Sequence, residues 1–282
     1  MDILESWRGA TAVIATMHSK ERVIAPRLEA AFGVQTVIPQ HLDTDSFGTF
    51  TREVKRPKDQ LETARLKALA GIQETGARIG IASEGSFGPH PSIPFVTADR
   101  ELVVLIDTKT GLEVVGEHIT TSVPARGQWV TSIKEAVATA ALWGFPTQGI
   151  IIRTSDTGNS GIYKNITTEE TFTQLMHKLL RPWWRRRIYL ETDMRAHRCP
   201  ARMEAIGKAT ENLIANINTR CPACAWPGFS NTITTPGLPC ATCGTPTDLP
   251  ATHATTCTHC KYEAVERVNE PADPAHCSYC NP

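Results

Sequence analysis

Cysteine spacing carries the clearest chemical signal in this chain. Eight of its nine cysteines form four Cys-x-x-Cys pairs, Cys221/Cys224, Cys240/Cys243, Cys257/Cys260 and Cys277/Cys280, with 15, 13 and 16 residues between successive pairs. Two cysteines on one tight knuckle present both sulfurs to a single metal, and two knuckles complete a tetrahedral four-sulfur site. Four pairs therefore make two structural zinc sites, whereas a redox Cys-x-x-Cys usually comes singly, after a strand and at a helix start. Three pairings of the knuckles exist. Joining first with second and third with fourth closes the shorter loops and is the expectation; joining the two middle knuckles as one ribbon stays open beside it. The ninth cysteine, Cys199, lies against Pro200 at a helix start and reads as a bystander.

Four polar stretches follow apolar runs, the place where ligands bind in open α/β sheets. Thr16-Met17-His18-Ser19-Lys20 leads into a helix, and hydroxyls with a lysine at a helix start suit a phosphate; helix caps and a solvated lysine would give the same pattern. Asp43 and Asp45, with Glu53 nearby, could coordinate Mg²⁺, or form Asx turns. Ser83-Glu84-Gly85-Ser86-Phe87-Gly88-Pro89-His90-Pro91 reads as a Gly/Pro-shaped loop offering Glu84, Ser86 and His90. Asp193-Met194-Arg195-Ala196-His197-Arg198 supplies a metal ligand or base in Asp193, an anion clamp in Arg195 and a proton-transfer group in His197. Convergence of these stretches would be polyanion chemistry. The basic run from Arg181 to Arg187, with Trp183 and Trp184, could stack a base or grip a phosphate, or be a helix end with snorkelling arginines.

These residues need a frame that brings them together. Thr11 to Thr16 reads as a buried strand, Lys20 to Phe32 as a helix stopped by Gly33, and Val34 to Ile38 as a second strand. A helix is expected from Pro57 to Thr75, ended by Gly76. Strands follow at Arg78 to Ala82, Glu101 to Asp107 and Leu112 to Thr120, the last two joined at Thr110-Gly111. Ser132 with Glu135 caps a helix to Trp143, Gly149 to Arg153 is a strand, and Thr167 with Glu170 caps a helix to Leu180. Arg187 to Glu191 and Ala201 to Ile217 complete the series as strand and helix. Alternation of this kind predicts an α/β domain over residues 1–220, with a mixed, largely parallel sheet and flanking helices. A small double zinc-ribbon module is expected over 221–282.

Composition narrows the function classes. The chain of 282 residues balances 29 basic against 29 acidic side chains, which argues against a nucleic-acid coat or a membrane-surface protein. The last 62 residues hold Lys261 and Arg267 against Asp248, Glu263, Glu266, Glu270 and Asp273, a balance of 2 − 5 = −3. Eight thiolates with two Zn²⁺ add about −4 more, so this module would repel a phosphate backbone and is expected to be structural or to contact protein. No stretch approaches the ~18 apolar residues of a membrane span, and the start lacks a signal-peptide pattern. A cytoplasmic setting is expected, with the thiols reduced.

Several of these motifs together resemble an uncharacterised bacterial family with C-terminal zinc ribbons: Thr44 to Phe50, Ala82 to Pro91, Asp193 to His197, and Gly237-Leu238-Pro239-Cys240. That family has Asn-Pro where this chain has Cys199-Pro200. More remotely, the order of features is similar to the inosine/xanthosine triphosphate pyrophosphatases. The shared order is a strand ending Ala15-Thr16, Lys20 opening a helix, Lys67-Ala68 late in the next helix, Glu84-Gly85 after a strand, Asp107 and Gly111 in a hairpin, and then Pro124. The family's Asn after Ala-Thr is replaced here by Met17 and His18. The resemblance implies that Lys20 contacts a triphosphate and Glu84 helps hold Mg²⁺.

The reading that results is a Mg²⁺-dependent phosphoanhydride hydrolase acting on a nucleotide or nucleotide-like substrate. Lys20 and Arg195 would clamp phosphate, Asp45, Glu84 and Asp193 would hold the metal, and His90 or His197 would move the proton. The alternative is a non-enzymatic sensor of a phosphorylated ligand whose zinc-ribbon tail docks a protein partner.

Overall fold

The computed structural model describes residues 2–47, 59–91, 93–155, 161–181 and 187–282, without the side chains of Asp45, Ser46 and Pro94. The Arg181 to Arg187 run lies mostly outside the described residues, as do Glu53 and the start expected at Pro57. The chain divides into two compact units. One takes the residues up to Gly111 together with Val115–Leu213, and the other takes Leu112–Val114 and Ile214–Pro282. The division between Leu213 and Ile214 lies inside the last long helix, a few residues before the boundary expected at Arg220.

In the large unit, β1 (Thr11–Ala15) buries four successive side chains, as a strand covered on both faces must. Then come α1 (Glu21–Phe32), β2 (Gln35–Val37), α2 (Gln60–Thr75), β3 (Ile79–His90), β4 (Ile93–Asp107) and β5 (Leu112–Thr120). Gly33 and Gly76 close the two helices in the left-handed conformation, and each donates its N–H to the carbonyl four residues back, Glu29 and Ile72. Asp59 caps α2, accepting from Glu62 N at 2.8 Å. The five strands form one sheet in the order β2-β1-β3-β4-β5. Among the described residues β2-β1-β3 pair in parallel, whereas β3 and β4 form a long antiparallel ladder.

The remaining elements are β6 (Gly127–Val130), α3 (Ile133–Leu142), β7 (Ile150–Arg153), β8 (Ile162–Tyr163), α4 (Glu169–Leu180), β9 (Ile188–Thr192) and α5 (Pro200–Asn218). The α/β class and the mixed sheet are as expected, but these later strands build a second sheet, β6-β9-β7-β8, whose pairs are all antiparallel. Its apolar face, including Val130, Ile150, Ile152, Ile188 and Leu190, packs on Phe172 and Met176 of α4 and Ala136 and Ala140 of α3. Ser132 caps α3 as predicted. Thr168, one residue after the expected Thr167, caps α4, since it is the residue with the extended backbone a cap requires. Among the described residues no helix is long and apolar enough to cross a membrane.

Two expectations need correction. Ser83 to Pro91 is not a loop: β3 runs unbroken to His90, paired with β4, and its register shifts only at Pro89/His90. Proline is tolerated at such an irregularity because it has no N–H to give the ladder. Knuckle pairing also differs. The small unit holds β10 (Thr232–Pro236), β11 (Pro250–Thr256) and β12 (Glu263–Arg267) as an antiparallel three-stranded sheet in that order. Each passage along the sheet carries the chain to the other end, so the first and third knuckles lie together, as do the second and fourth.

The far end of β3 from the polar stretches is tied by Asp107. Its carboxylate accepts from Trp7 Nε1 (2.9 Å), Arg78 Nε (2.9 Å) and Nη2 (2.7 Å), Thr110 Oγ1 (2.9 Å) and Lys109 N (3.0 Å). Burial alone would raise the pKa; the hydrogen bonds outweigh it and hold the group at about 2. A carboxyl held below its unfolded value stabilises the fold above that value and loses the contribution as pH falls towards 2. Asp107→Asn should therefore cost roughly 2–4 kcal/mol at neutral pH. Urea unfolding should show the gap to wild type narrowing as pH drops from about 5 to 2. Parallel profiles for the two proteins would contradict this role.

Candidate functional site

β1 ends opposite Ala82, while β3 and β4 continue together beyond it. The chemistry gathers at that step. Gly85 lies directly opposite Glu101, so these two share one face of the ladder, and Glu84 points to the other. On the Glu84 face, α2 comes in close through Ala64, Ala68 and Gly71, and Lys67 from the same stripe donates to Glu84 Oε2 at 2.7 Å. Both side chains are buried. On the opposite face, Arg202 of α5 donates from Nε to Glu101 Oε1 at 2.6 Å and from Nη1 to the carbonyl of Met194. Glycine is required at position 85, because a Cβ there would lie 2.3 Å from Arg202 Nη2 and 2.6 Å from Glu101 Oε2.

Lys20 stands at the start of α1 and donates to the carbonyl of Ser83 at 3.1 Å. Burial brings its pKa down to about 8; Glu101 and Glu84 pull the other way, and Arg202 and Lys67 add to the lowering. Thr16 is buried, and its Oγ1 accepts from His18 N at 3.2 Å. Ser19 takes a left-handed backbone (φ 56°), which turns the chain from β1 into α1. His18 stacks on His197 with ring centroids 5.1 Å apart, so the loop after β1 meets the loop after β9. His197 is held neutral at physiological pH. Partial burial first, then His18, Arg195 and Arg198, bring its pKa to about 4 against the pull of Asp193.

Asp193 is buried and held by Arg195, whose Nε reaches Oδ1 at 3.0 Å and whose Nη2 reaches Oδ2 at 2.6 Å and Asn165 Oδ1 at 2.9 Å. The backbone of this loop is fixed from the second sheet: Asp193 N donates to Gly149 O, and Gly149 N to Arg198 O, each at 2.7 Å. Thus Thr16, Lys20, Glu84 and His197 come into one neighbourhood, and Asp193 and Arg195 stand beside His197. His90 does not join them. It lies six residues beyond Glu84 along an extended strand, about 20 Å away. Ser86 donates to Gln60 Oε1 at 3.0 Å, and that amide in turn bridges the carbonyls of Glu84 and Arg100. Asp43 is exposed ahead of the turn Thr44–Phe47, and the side chain of Asp45 lies outside the described ones. Cys199 is buried and burial raises its thiol pKa, in keeping with a bystander.

Sequence reasoning placed Lys67 in the shared order of features without a site role, and gave none to Asp99, Glu101 or Arg202. A signal existed for each. Lys67 interrupts the buried stripe Ala64-Ala68-Gly71, and Arg202 heads the stripe Ile206-Ala209-Leu213-Ile217. Asp99 and Glu101 alternate in phase with Val103 and Leu105 on β4, which places them on a buried face.

In the small unit, Cys221, Cys224, Cys257 and Cys260 form one cluster and Cys240, Cys243, Cys277 and Cys280 another, each with its sulfurs within 4.8 Å of one another. Sulfur separations of 3.7 Å (Cys221–Cys260), 3.8 Å (Cys224–Cys257), 3.6 Å (Cys243–Cys277) and 3.9 Å (Cys240–Cys280) match the edge of a zinc tetrahedron. With Zn–S near 2.3 Å that edge is about 3.8 Å. Both clusters fit structural zinc. Trp226 stacks on His259 beside the first cluster, ring centroids 4.1 Å apart.

A family model described as a domain of unknown function (DUF6671) matches residues 67–282, which takes in Lys67, Glu84, Asp99, Glu101, Asp193, Arg202 and all eight clustered cysteines. No curated protein matches the chain. Among solved structures, one described as the crystal structure of protein VC0702 from Vibrio cholerae is similar at 9% identity and a TM-score of 0.30, over 73% of this chain and 94% of that one.

The interleaved clusters make a prediction that other pairings do not. Cys221→Ser with Cys257→Ser should lower the metal count from two per chain to one, whereas Cys221→Ser with Cys240→Ser should lower it to none. Elemental analysis of the purified variants decides it, and the reverse pattern would sink the interleaved arrangement.

Proposed function

The chain belongs to the DUF6671 family, and we propose that its large unit binds a phosphorylated, nucleotide-like ligand and hydrolyses a phosphoanhydride bond in it with Mg²⁺. The observation that carries this reading is the gathering of Lys20, two buried cation–carboxylate pairs and the His18–His197 stack at the step where β1 ends. Anionic ligands favour such a place, at the carboxyl end of a parallel strand and the start of a helix. Lys20 would meet the phosphate. His197, a neutral imidazole whose pKa of about 4 makes it a weak base, would accept a hydrogen bond from an attacking water and orient it. Asp193 and Arg195 would hold that loop, each already engaged by the other. Glu84 and Asp193 would hold Mg²⁺, and the chemistry supplied there would be relief of negative charge on the phosphate.

A sensor without turnover is the second reading. What favours it is that Glu84 and Asp193, the expected metal ligands, are neutralised by Lys67 and Arg195. In either reading the small unit is a double zinc ribbon with one zinc in each cluster, suited by its negative balance to a protein partner and not to nucleic acid. Reduced zinc-binding thiols fit a cytoplasmic setting.

A panel of nucleoside triphosphates with Mg²⁺ and zinc-loaded protein tests the proposal. Release of phosphate or pyrophosphate from at least one of them is expected, with Lys20→Met lowering kcat/KM roughly a hundred-fold at an unchanged zinc count. Thermal stabilisation by a nucleotide with no product formed would replace the enzyme by the sensor, and neither response would remove both.

A further inference from the structure

One face of the second sheet forms the core, and the other carries a row of a different kind. Val130, Ile152, Ile188 and Leu190 point inward, so their strand neighbours Trp129, Arg153 and Tyr189 point the opposite way. Register sets these three side by side across β6, β9 and β7, since Tyr189 pairs with Trp129 on one side and with Arg153 on the other. The two aromatic rings meet with centroids 5.1 Å apart, tilted by 54°. Arg187 lies over the Trp129 ring at 4.2 Å, so an arginine stands at each end of the aromatic pair. A cavity of about 300 Å³ opens here, lined by Trp129, Tyr189, Arg153 and Ser155. Position 127 requires glycine, because a Cβ there would overlap the Tyr189 hydroxyl. The Tyr189 ring therefore lies along the sheet, over Gly127, with one face turned outward.

We infer that this face binds a nucleotide unit, its base stacked on Tyr189 and Trp129 and its phosphate held by Arg153 and Arg187. Cross-strand aromatic pairs and cation–π contacts also serve sheet stability alone, and two observations go beyond that role. The outward face of Tyr189 and the cavity beside it leave room for a planar ring. Arg153 keeps a buried Nε with no hydrogen-bond partner among the described residues. Its ion-pair partner Glu191 stands 3.7 Å off, longer than a hydrogen bond, so the guanidinium is steered to the site without being used up. Every base has a π-face to stack on an aromatic ring, and the planar guanidinium fork suits phosphate oxygens. Glu191, two residues beyond Tyr189 on the same face of β9, can accept from the exocyclic amino group of a base, which favours adenine over uracil. A free nucleotide and a residue of a single strand offer this same chemistry. The site stands apart from the proposed hydrolysis and does not rest on it, since Tyr189 lies four residues before Asp193, about 13 Å along the strand.

Calorimetric titration of the zinc-loaded full chain with adenosine 5′-monophosphate tests it. Saturable binding is expected, with uridine 5′-monophosphate several-fold weaker and inorganic phosphate alone roughly ten-fold weaker or more. Trp129→Ala and Tyr189→Ala should each weaken it roughly ten-fold or more, while Tyr189→Phe, which keeps the ring, should stay within about two-fold. Arg153→Gln should weaken it about five-fold, and Lys20→Met should leave it within about two-fold. If an aromatic variant fails to fold, Arg187→Gln, at an exposed position, carries the test, with about three-fold weaker binding expected. No saturable binding in the wild type, or binding indifferent to Trp129, Tyr189 and Arg187, or binding lost with Lys20→Met, overturns the site. A short single-stranded oligoadenylate held more tightly, with the same dependence on Trp129 and Tyr189, would sustain the site with a strand as its source; equal or weaker binding would sustain it for the free nucleotide. Turnover in the nucleotide panel without Trp129-dependent binding would keep the hydrolase and remove this site, and the converse would keep this site alone.

Discussion

Two buried ion pairs act on opposite faces of a single β-ladder, and the rest of the large unit is arranged to accommodate them. Lys67 reaches Glu84 from α2, and Arg202 reaches Glu101 from α5, with all four side chains at most 8% exposed. Taking such charges out of water is expensive, and a well-packed apolar pair would often do no worse for stability. The surroundings therefore have to supply close geometry. Alanine and glycine on α2 let that helix approach the sheet, Gly85 leaves room for the guanidinium, and the Met194 carbonyl takes one of its remaining N–H groups. Through that last bond the pair also fixes the loop after β9, which carries Asp193, Arg195 and His197.

The small unit solves a different problem by a different means. Its strands are short and mostly exposed, with no apolar layer of the kind that holds the two larger sheets. Metal–thiolate bonds can supply the folding energy that such a core cannot. An antiparallel meander with a knuckle at each passage separates the two clusters by the length of a strand, about 20 Å for seven residues. The interleaving is a consequence of that topology.

Much of the frame was legible in the sequence because local chemistry marks it. Gly33 and Gly76 end their helices, Ser132 starts one, and Gly111 with Asp107 closes the turn between β4 and β5. What could not be read was non-local. Gly85, Gly88 and Pro89 look like loop residues, and only the presence of Arg202, more than a hundred positions away, explains why a strand needs glycine there. The division into two sheets depends on partners that local pattern does not specify. Loop length favoured sequential knuckles, yet the strands inside those loops decide the pairing. At the site itself the loops flanking β1 and β9 were found, whereas the charged residues within buried stripes were passed over as ordinary helix and strand positions.

The account stands or falls on the energetic coupling of Arg202 with Glu101, and a double-mutant cycle on folding stability measures it most directly. Arg202→Met and Glu101→Gln, each leaving an unpaired buried group, should cost roughly 3–5 kcal/mol apiece. The double variant should cost well under the sum, by a coupling of roughly 2 kcal/mol or more. Additivity within about 0.5 kcal/mol would mean that the pair does not organise the ladder, and the convergence of residues built on it would lose its cause.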